Sequence, residues 1–302
     1  VSIRSRFLDP DLVRRLGRVE MKARQVVEGF LTGLHKSPYR GFSVEFAEHR
    51  SYVPGDDPRH IDWKVYGRRE RYYIKQYHEE TNFVATVLLD ASASMTFGSG
   101  KAHRKLEYAC LLATTLSFLV LRQNDAAALG IYDRQSVAYL PPGTRLPFIA
   151  RLSEMLDRLE PTGQTDTGRS LGQFTRQIAR KGIVVVVSDF LDKPESILDG
   201  LRQLKFRGHE VIALHVLDPH ELGFPMRGHV RFEGIEVDLR VFVEPSRIRE
   251  AYLDALNRHL HALRLGCSRA GIDYRLASTA EPLDELLLSY LATRQKVRRV
   301  AK

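Results

Sequence analysis

The chain has 302 residues, 43% hydrophobic and 27% charged, with a formal net charge of +9. This composition is that of a globular chain without low-complexity tracts, and the length allows one large α/β domain with a smaller companion or two ordinary domains. No period of 20 to 50 residues recurs, which excludes a solenoid, and the longest apolar run, ACLLATTLSFLVL at 109–121, is shorter than the ~20 residues that span a bilayer.

From the N-terminus, Leu12, Leu16, Val19, Ala23, Val26 and Phe30 recur at alternating spacings of four and three. That stripe predicts an amphipathic helix over 11–31 that packs on its own protein. Pro38 and Gly41 end it, and GFSVEFAEHRSYV and RYYIKQYH then read as strands flanking a polar segment. Together these form an N-terminal unit over 1–81, a helix plus a β-rich part.

From Asn82 the pattern changes, and 82–302 reads as a second domain. FVATVLLD is a continuous apolar run ending in a carboxylate, as expected of a central strand buried on both faces. The helix around 104–122 is apolar nearly all round, so it too is expected to be buried. DAAALGIYD and SVAYL fit two strands joined by a turn at Asp133–Gln135. Helices follow Pro147 and Thr167, the second with Leu171, Phe174 and Ile178 on one side. IVVVVSD is another buried strand, Leu198, Leu201 and Leu204 mark a helix, and VIALHVLD marks a further strand. FPMRGHVRFEGIEVDLRVFVEP has no helix signal and reads as a β-ribbon insertion. A long helix from about Ser246, the strand IDYRLAS and a last helix with Leu283, Leu286, Leu287 and Tyr290 complete the order. Strands alternating with helices predict a mostly parallel sheet covered on both faces.

The basic balance is compatible with nucleic acid, an anionic membrane surface, an acidic partner protein or a plain solvated surface. Cys110 and Cys267 have neither a disulfide framework nor metal-ligand spacing, so both are expected as buried thiols in a reducing, cytoplasmic compartment.

Two kinds of chemistry compete in DASASMTFGSGKA, residues 90–102. A phosphate-binding loop needs a glycine five residues before its Gly-Lys and a hydroxyl after it. Met95 and Ala102 stand at those positions, so GSGK reads as a flexible loop before a helix. A phosphatase of the aspartyl type needs a second carboxylate where Ser92 stands. Asp90, Ser92 and Ser94 instead offer hard oxygen donors that a loop leaving the strand can turn toward one point, which suits magnesium or manganese. The bland alternative is a turn capping the next helix. GQTDTGRSL adds a hydroxyl-rich loop with Thr165 and Thr167, and Asp189 ends another buried strand. In a doubly wound sheet such strand ends converge at the switch point where ligands bind.

DASAS, the GQTDT loop and the SDF strand end together resemble the metal-ion-dependent adhesion site of von Willebrand factor type A domains, over residues 82 to about 292. The resemblance implies that Ser92, Ser94 and Thr165 contact the metal directly, that Asp90 and Asp189 act directly or through water, and that Thr167 serves as an N-cap. YVPGDDPRHIDWKVYGRRERYYIKQY, residues 52–77, and YRLASTAEPLDELLLSYL near the C-terminus are similar to the family known as domain of unknown function 58. That family usually has alanine where Gly67 stands. Its members pair such a segment with an adhesion-type domain and are often encoded beside MoxR-type AAA+ ATPases. Many carry transmembrane helices, and this sequence resembles the soluble branch. The implied fold is a Rossmann-like, doubly wound, mostly parallel α/β sheet of the von Willebrand factor type A kind.

Arg59, Asp62, Trp63 and Lys64 within the second signature support two readings. Trp and Arg are common interface anchors, which suits docking. Flanked by Ile61 and Val65, they also suit a buried ion pair and an aromatic plug at a packed junction, and this structural reading is preferred. RRERYYIKQY interleaves basic and aromatic residues as nucleic-acid binders do, although strand alternation would leave Tyr72 outside while Tyr73 and Tyr77 face inward. His215, His220, His259 and His261 are scattered without zinc-site spacing, and no GxSxG elbow is present.

The combined expectation is a non-catalytic, metal-dependent protein-binding module. A partner protein supplies a carboxylate to the metal, and that partner is a MoxR-type AAA+ ATPase or its client. A magnesium-dependent phosphohydrolase and a basic nucleic-acid binder are the alternatives from other classes.

Overall fold

The computed structural model describes residues 44–53, 61–69, 71–79, 84–100, 102–133, 137–161, 163, 166–235 and 239–290. The helix expected over 11–31 lies outside them. The chain divides at Phe83/Val84 into a small unit beginning at Thr32 and a larger one that holds Val84–Lys302.

In the small unit, β1 (Val44–Ser51) pairs antiparallel with β2 (Tyr73–Glu79), with an irregularity between Phe46 and Glu48. Between them lies a short helix the sequence reading did not foresee, α1 (Trp63–Arg69). Asp62 starts it: its carboxylate and its carbonyl both accept from Val65 N–H, at 3.3 and 3.1 Å. Its own N–H donates to Tyr73 O at 2.8 Å, which ties the helix start to β2.

The larger unit is built on a six-stranded sheet of order β10-β7-β6-β3-β4-β5. Its strands are β3 (Val84–Asp90), β4 (Ala126–Tyr132), β5 (Val137–Gly143), β6 (Ile183–Ser188), β7 (Glu210–Leu217) and β10 (Asp273–Ser278). Every pairing from β10 through β4 is parallel, and only β5 runs antiparallel, on the edge. All residues of β3, β4 and β6 are buried, which explains why their sequences are unbroken apolar runs rather than alternating ones. In β5, Pro141 and Pro142 fall where the register with β4 shifts, a bulge on an exposed edge being where a strand tolerates missing N–H donors. A separate ribbon of β8 (Val230–Glu233) and β9 (Arg240–Val243) forms the expected insertion.

Helices cover both faces. On one, α2 (Lys105–Arg122) packs on β3 and β4 and against α3 (Pro147–Asp157). Arg104 N–H donates to the Glu107 carboxylate at 3.3 Å as α2 begins, and Asn124, at φ +63°, follows its end. On the other face are α4 (Thr167–Gln177), α5 (Pro194–Phe206) and α7 (Pro245–Arg269). Leu171, Phe174, Ile197, Leu201 and Leu263 from these helices enclose Leu88, Val184, Val186 and Ala213 of the sheet. A Cβ on Gly168 would lie 2.4 Å from Ser196 O, so glycine there lets α4 and α5 approach closely. Beyond β7 comes a second unforeseen helix, α6 (Pro219–Gly223), and residues 283–290 are helical as expected. Cys110 and Cys267 are both buried, and neither forms a disulfide.

Candidate metal centre

The chain passes from β3 to β4 on one side, then returns to place β6 on the other side of β3. The C-terminal ends of β3 and β6 therefore flank the switch point of the sheet, where loops diverge and leave a crevice. Asp90 ends β3 and Asp189 directly follows β6.

Asp90 is buried, and its Oδ1 accepts from Ser92 N–H at 2.9 Å. That bond turns the chain into a single 3-10 turn, Ala93–Thr96, and brings the Ser92 and Ser94 hydroxyls within 3.0 Å of each other. The other oxygen, Oδ2, accepts from the Ser188 hydroxyl at 2.6 Å, and Ser188 Oγ accepts in turn from Phe190 N–H at 2.8 Å. Phe190 has φ +45°, a left-handed conformation that turns the chain just after Asp189. Its carbonyl accepts from His259 Nε2 at 2.8 Å, which anchors this bend to α7. Burial, and next the charge of Asp189, push the Asp90 carboxyl up to about 6, against the hydrogen bonds from Ser188 and Ser92. Burial and the Asp90 charge likewise hold the Tyr132 phenol well above its usual range.

The loop before α4 approaches the same turn, because Ala93 N–H donates to Gly163 O at 3.0 Å. Thr165 lies outside the described residues. Thr167 is buried but is not the N-cap expected of it. Asp166 caps α4 by accepting from Arg169 N–H at 3.1 Å, and Thr167 is the first helical residue. An aspartate one position earlier competes better for that role than a threonine.

The structure thus brings together Asp90, Ser92, Ser94 and Asp189. Their carboxylate and hydroxyl oxygens fit a hard divalent cation, and the desolvated, upward-shifted Asp90 marks a place that favours added positive charge. Among the described residues no three His, Cys, Asp or Glu side chains gather to hold a metal, so a cation here depends on the serine hydroxyls as well.

The sequence reading missed the groups behind this crevice. Lys105, the first residue of α2, is fully buried, and its Nζ lies 2.7 Å from Asp189 Oδ2 and 2.7 Å from Glu221 Oε1. Burial opposes its charge, but Asp189 and Glu221 outweigh burial and leave its pKa raised. Glu221 Oε2 accepts from Asp218 N–H at 2.8 Å, and Asp218 Oδ2 accepts from Ser99 N–H at 3.0 Å. One chain of bonds therefore links β6, α2, α6, the end of β7 and the 97–100 loop. Asp218 was legible as a third carboxylate closing a buried strand, after Asp90 and Asp189. Lys105 had a weaker signal, a cation on a helix apolar nearly all round.

In the small unit, Asp62 is buried at the start of α1, whereas Trp63 is 61% exposed. Trp63 stands edge-on to Tyr66 and Tyr72, whose rings stack with centroids 4.5 Å apart. Tyr72 is exposed and Tyr73 half-buried, while the Tyr77 side chain lies outside the described residues. Arg59 and the Lys64 side chain also lie outside them. His215 and His259 come close, 6.2 Å between ring centroids, with the His215 Nδ1 2.8 Å from Tyr274 OH.

These features define a mostly parallel α/β domain with a carboxylate and hydroxyl cluster at its switch point, carried with a small β-hairpin unit. Residues 48–262 match the family described as Protein of unknown function DUF58, and the chain belongs to that family. It is 28% identical over 285 residues to the uncharacterized protein Rv1480 of Mycobacterium tuberculosis, covering 91% of this chain and 84% of that one. Among solved structures it is similar to BatB from Bacteroides thetaiotaomicron, at 14% identity and TM-score 0.45, covering 71% of this chain and 99% of that one. It is also similar to the SpRpn10 VWA domain, at 12% identity and TM-score 0.39, covering 68% and 93%. No helix among the described residues is long and apolar enough to cross a membrane.

Proposed function

We propose that this chain is a non-catalytic protein-binding module that works through a divalent cation, Mg2+ or Mn2+, at the crevice between the ends of β3 and β6. The observation that carries this reading is the convergence of Asp90 with the Ser92 and Ser94 hydroxyls beside Asp189, around a carboxyl that burial leaves poorly solvated. Asp90, Ser92 and Ser94 would hold the ion, with Thr165 from the loop before α4 and Asp189 completing the set. The bound cation supplies an open position for a carboxylate from a partner protein. The chain's own residues prepare that position. Ser188 orients Asp90, the Asp90–Ser92 bond fixes the turn that presents both serines, and the Phe190 bend follows the buried Asp189. The basic overall balance favours the approach of an acidic partner. The family resemblance points to an adaptor beside a MoxR-type AAA+ ATPase, or to that enzyme's clients.

The test is a pull-down from native lysate in Mg2+ and in EDTA, with wild type and Ser92→Ala. Partner held only by wild type in Mg2+ is the expected result. Equal retention in all four conditions would remove the metal from the binding mechanism.

A further inference from the structure

Lys105 is where the candidate site departs from a plain cluster of oxygen donors. Its ammonium is 0% exposed and is clamped between Asp189 Oδ2 and Glu221 Oε1, each at 2.7 Å. Neither contact lies at the surface, where a lysine could swing into water: Asp189 is 2% exposed and Glu221 15%. The helix that carries Lys105 is packed on β3 and β4, so its first turn cannot retreat without disturbing the sheet. Glu221 is fixed in turn by the Asp218 N–H. The positive charge at Asp189 is thus part of the fold.

We propose that Lys105 is a built-in competitor for the metal centre, its ammonium holding Asp189 Oδ2 against a divalent cation and so setting how tightly that cation binds. This rests on the metal-site reading given above. Asp90 and Asp189 bring two negative charges to the crevice when ionised, which match one divalent ion, yet Asp189 Oδ2 is already engaged by the Lys105 ammonium. Glu221 tempers the competition by sharing the ammonium. Taking Glu221 away concentrates the lysine on Asp189, and taking both away frees Asp189 with the cluster still at two negatives.

The experiment is Mn2+ binding to the purified full chain, read by calorimetry, for wild type, Glu221→Gln, Lys105→Met/Glu221→Gln and Ser92→Ala, with circular dichroism to verify folding. Competition predicts affinity lowered about threefold or more in Glu221→Gln and raised about tenfold or more in the double variant. Unchanged or tighter binding in Glu221→Gln overturns the proposal, and that variant keeps the lysine paired should the double variant fail to fold. Unchanged or weaker binding in a folded double variant overturns it as well. If wild type binds Mn2+ and Ser92→Ala does not, such a failure falls on Lys105 alone. If no protein in the series binds Mn2+, the metal-site reading falls with it.

Discussion

The Lys105 ammonium and the Asp189 carboxylate meet at 2.7 Å with no solvent access to the lysine, across the gap between the start of α2 and the end of β6. Breaking a buried pair from one side leaves the other charge uncompensated, which costs about 3–5 kcal/mol. Lys105→Met alone should therefore lower stability by that order, measured by urea unfolding in chelator. Adding Glu221→Gln should restore only part of it, since Asp189 stays buried and charged.

Asp90 gives a loss of function with a gain in stability. Its folded pKa of about 6 lies above the ordinary carboxylate value, so between about pH 4 and 6 the folded chain holds a proton that the unfolded chain has lost. Stability from this group is full below that window and falls as pH rises through it. Asp90→Asn in chelator should then be more stable than wild type at pH 7, by on the order of 1–3 kcal/mol, and lose the advantage near pH 4. The same variant should bind no Mn2+. Thermal melts at the two pH values and a calorimetric titration check both outcomes.

His215 acts with the opposite sign. Burial, and next the charge of His259, lower its pKa to about 3. Below about pH 6.5 the unfolded chain takes up a proton there that the folded chain refuses, so stability contributed above that value is lost as pH falls. In His215→Asn the acid-side decline in melting temperature between pH 6.5 and 4.5 should be shallower than in wild type. A parallel decline would exclude His215 as the source.

Gly168 permits the α4–α5 approach, and alanine there would bring a Cβ to 2.4 Å from Ser196 O. Forcing the helices apart should cost about 1–3 kcal/mol. It should also shift the start of α4, where Thr167 N–H donates to Asp192 Oδ2 at 3.3 Å. Urea unfolding of Gly168→Ala measures the first effect, and weakened Mn2+ binding the second.

Cys110 and Cys267 are the chain's only cysteines and both are buried. Burial also pushes the Cys267 thiol up to about 11, far from the thiolate that reacts. A disulfide-exchange reagent should label neither in the native chain and both in denaturant. Rapid native labelling would mean local opening of α2 or α7.

The mostly parallel sheet was readable because β3, β4 and β6 are buried on both faces and so leave largely apolar runs. Asp90, Ser92, Ser94 and Asp189 were readable as a set because each stands at or just past such a run. The short helices α1 and α6 were hidden by their length, too few residues to display a helical period. Lys105 was hidden for another reason. A first-turn lysine on a helix ordinarily reaches water, and only the tertiary meeting of β6 with α6 encloses this one. Trp63 shows the converse case, an aromatic flanked by apolar neighbours that is nonetheless exposed.

The two prolines of β5 bear on how copies of this chain meet. A sheet grows sideways when an incoming strand finds a row of free amide donors, and Pro141 and Pro142 interrupt that row on the outermost strand. With lateral growth blocked on this side, the opposite edge strand among the described residues is β10, which carries no proline. An unfolding-prone variant of this protein should therefore polymerise through β10 first, and a proline placed within Asp273–Ser278 should slow fibre formation more than any change to β5.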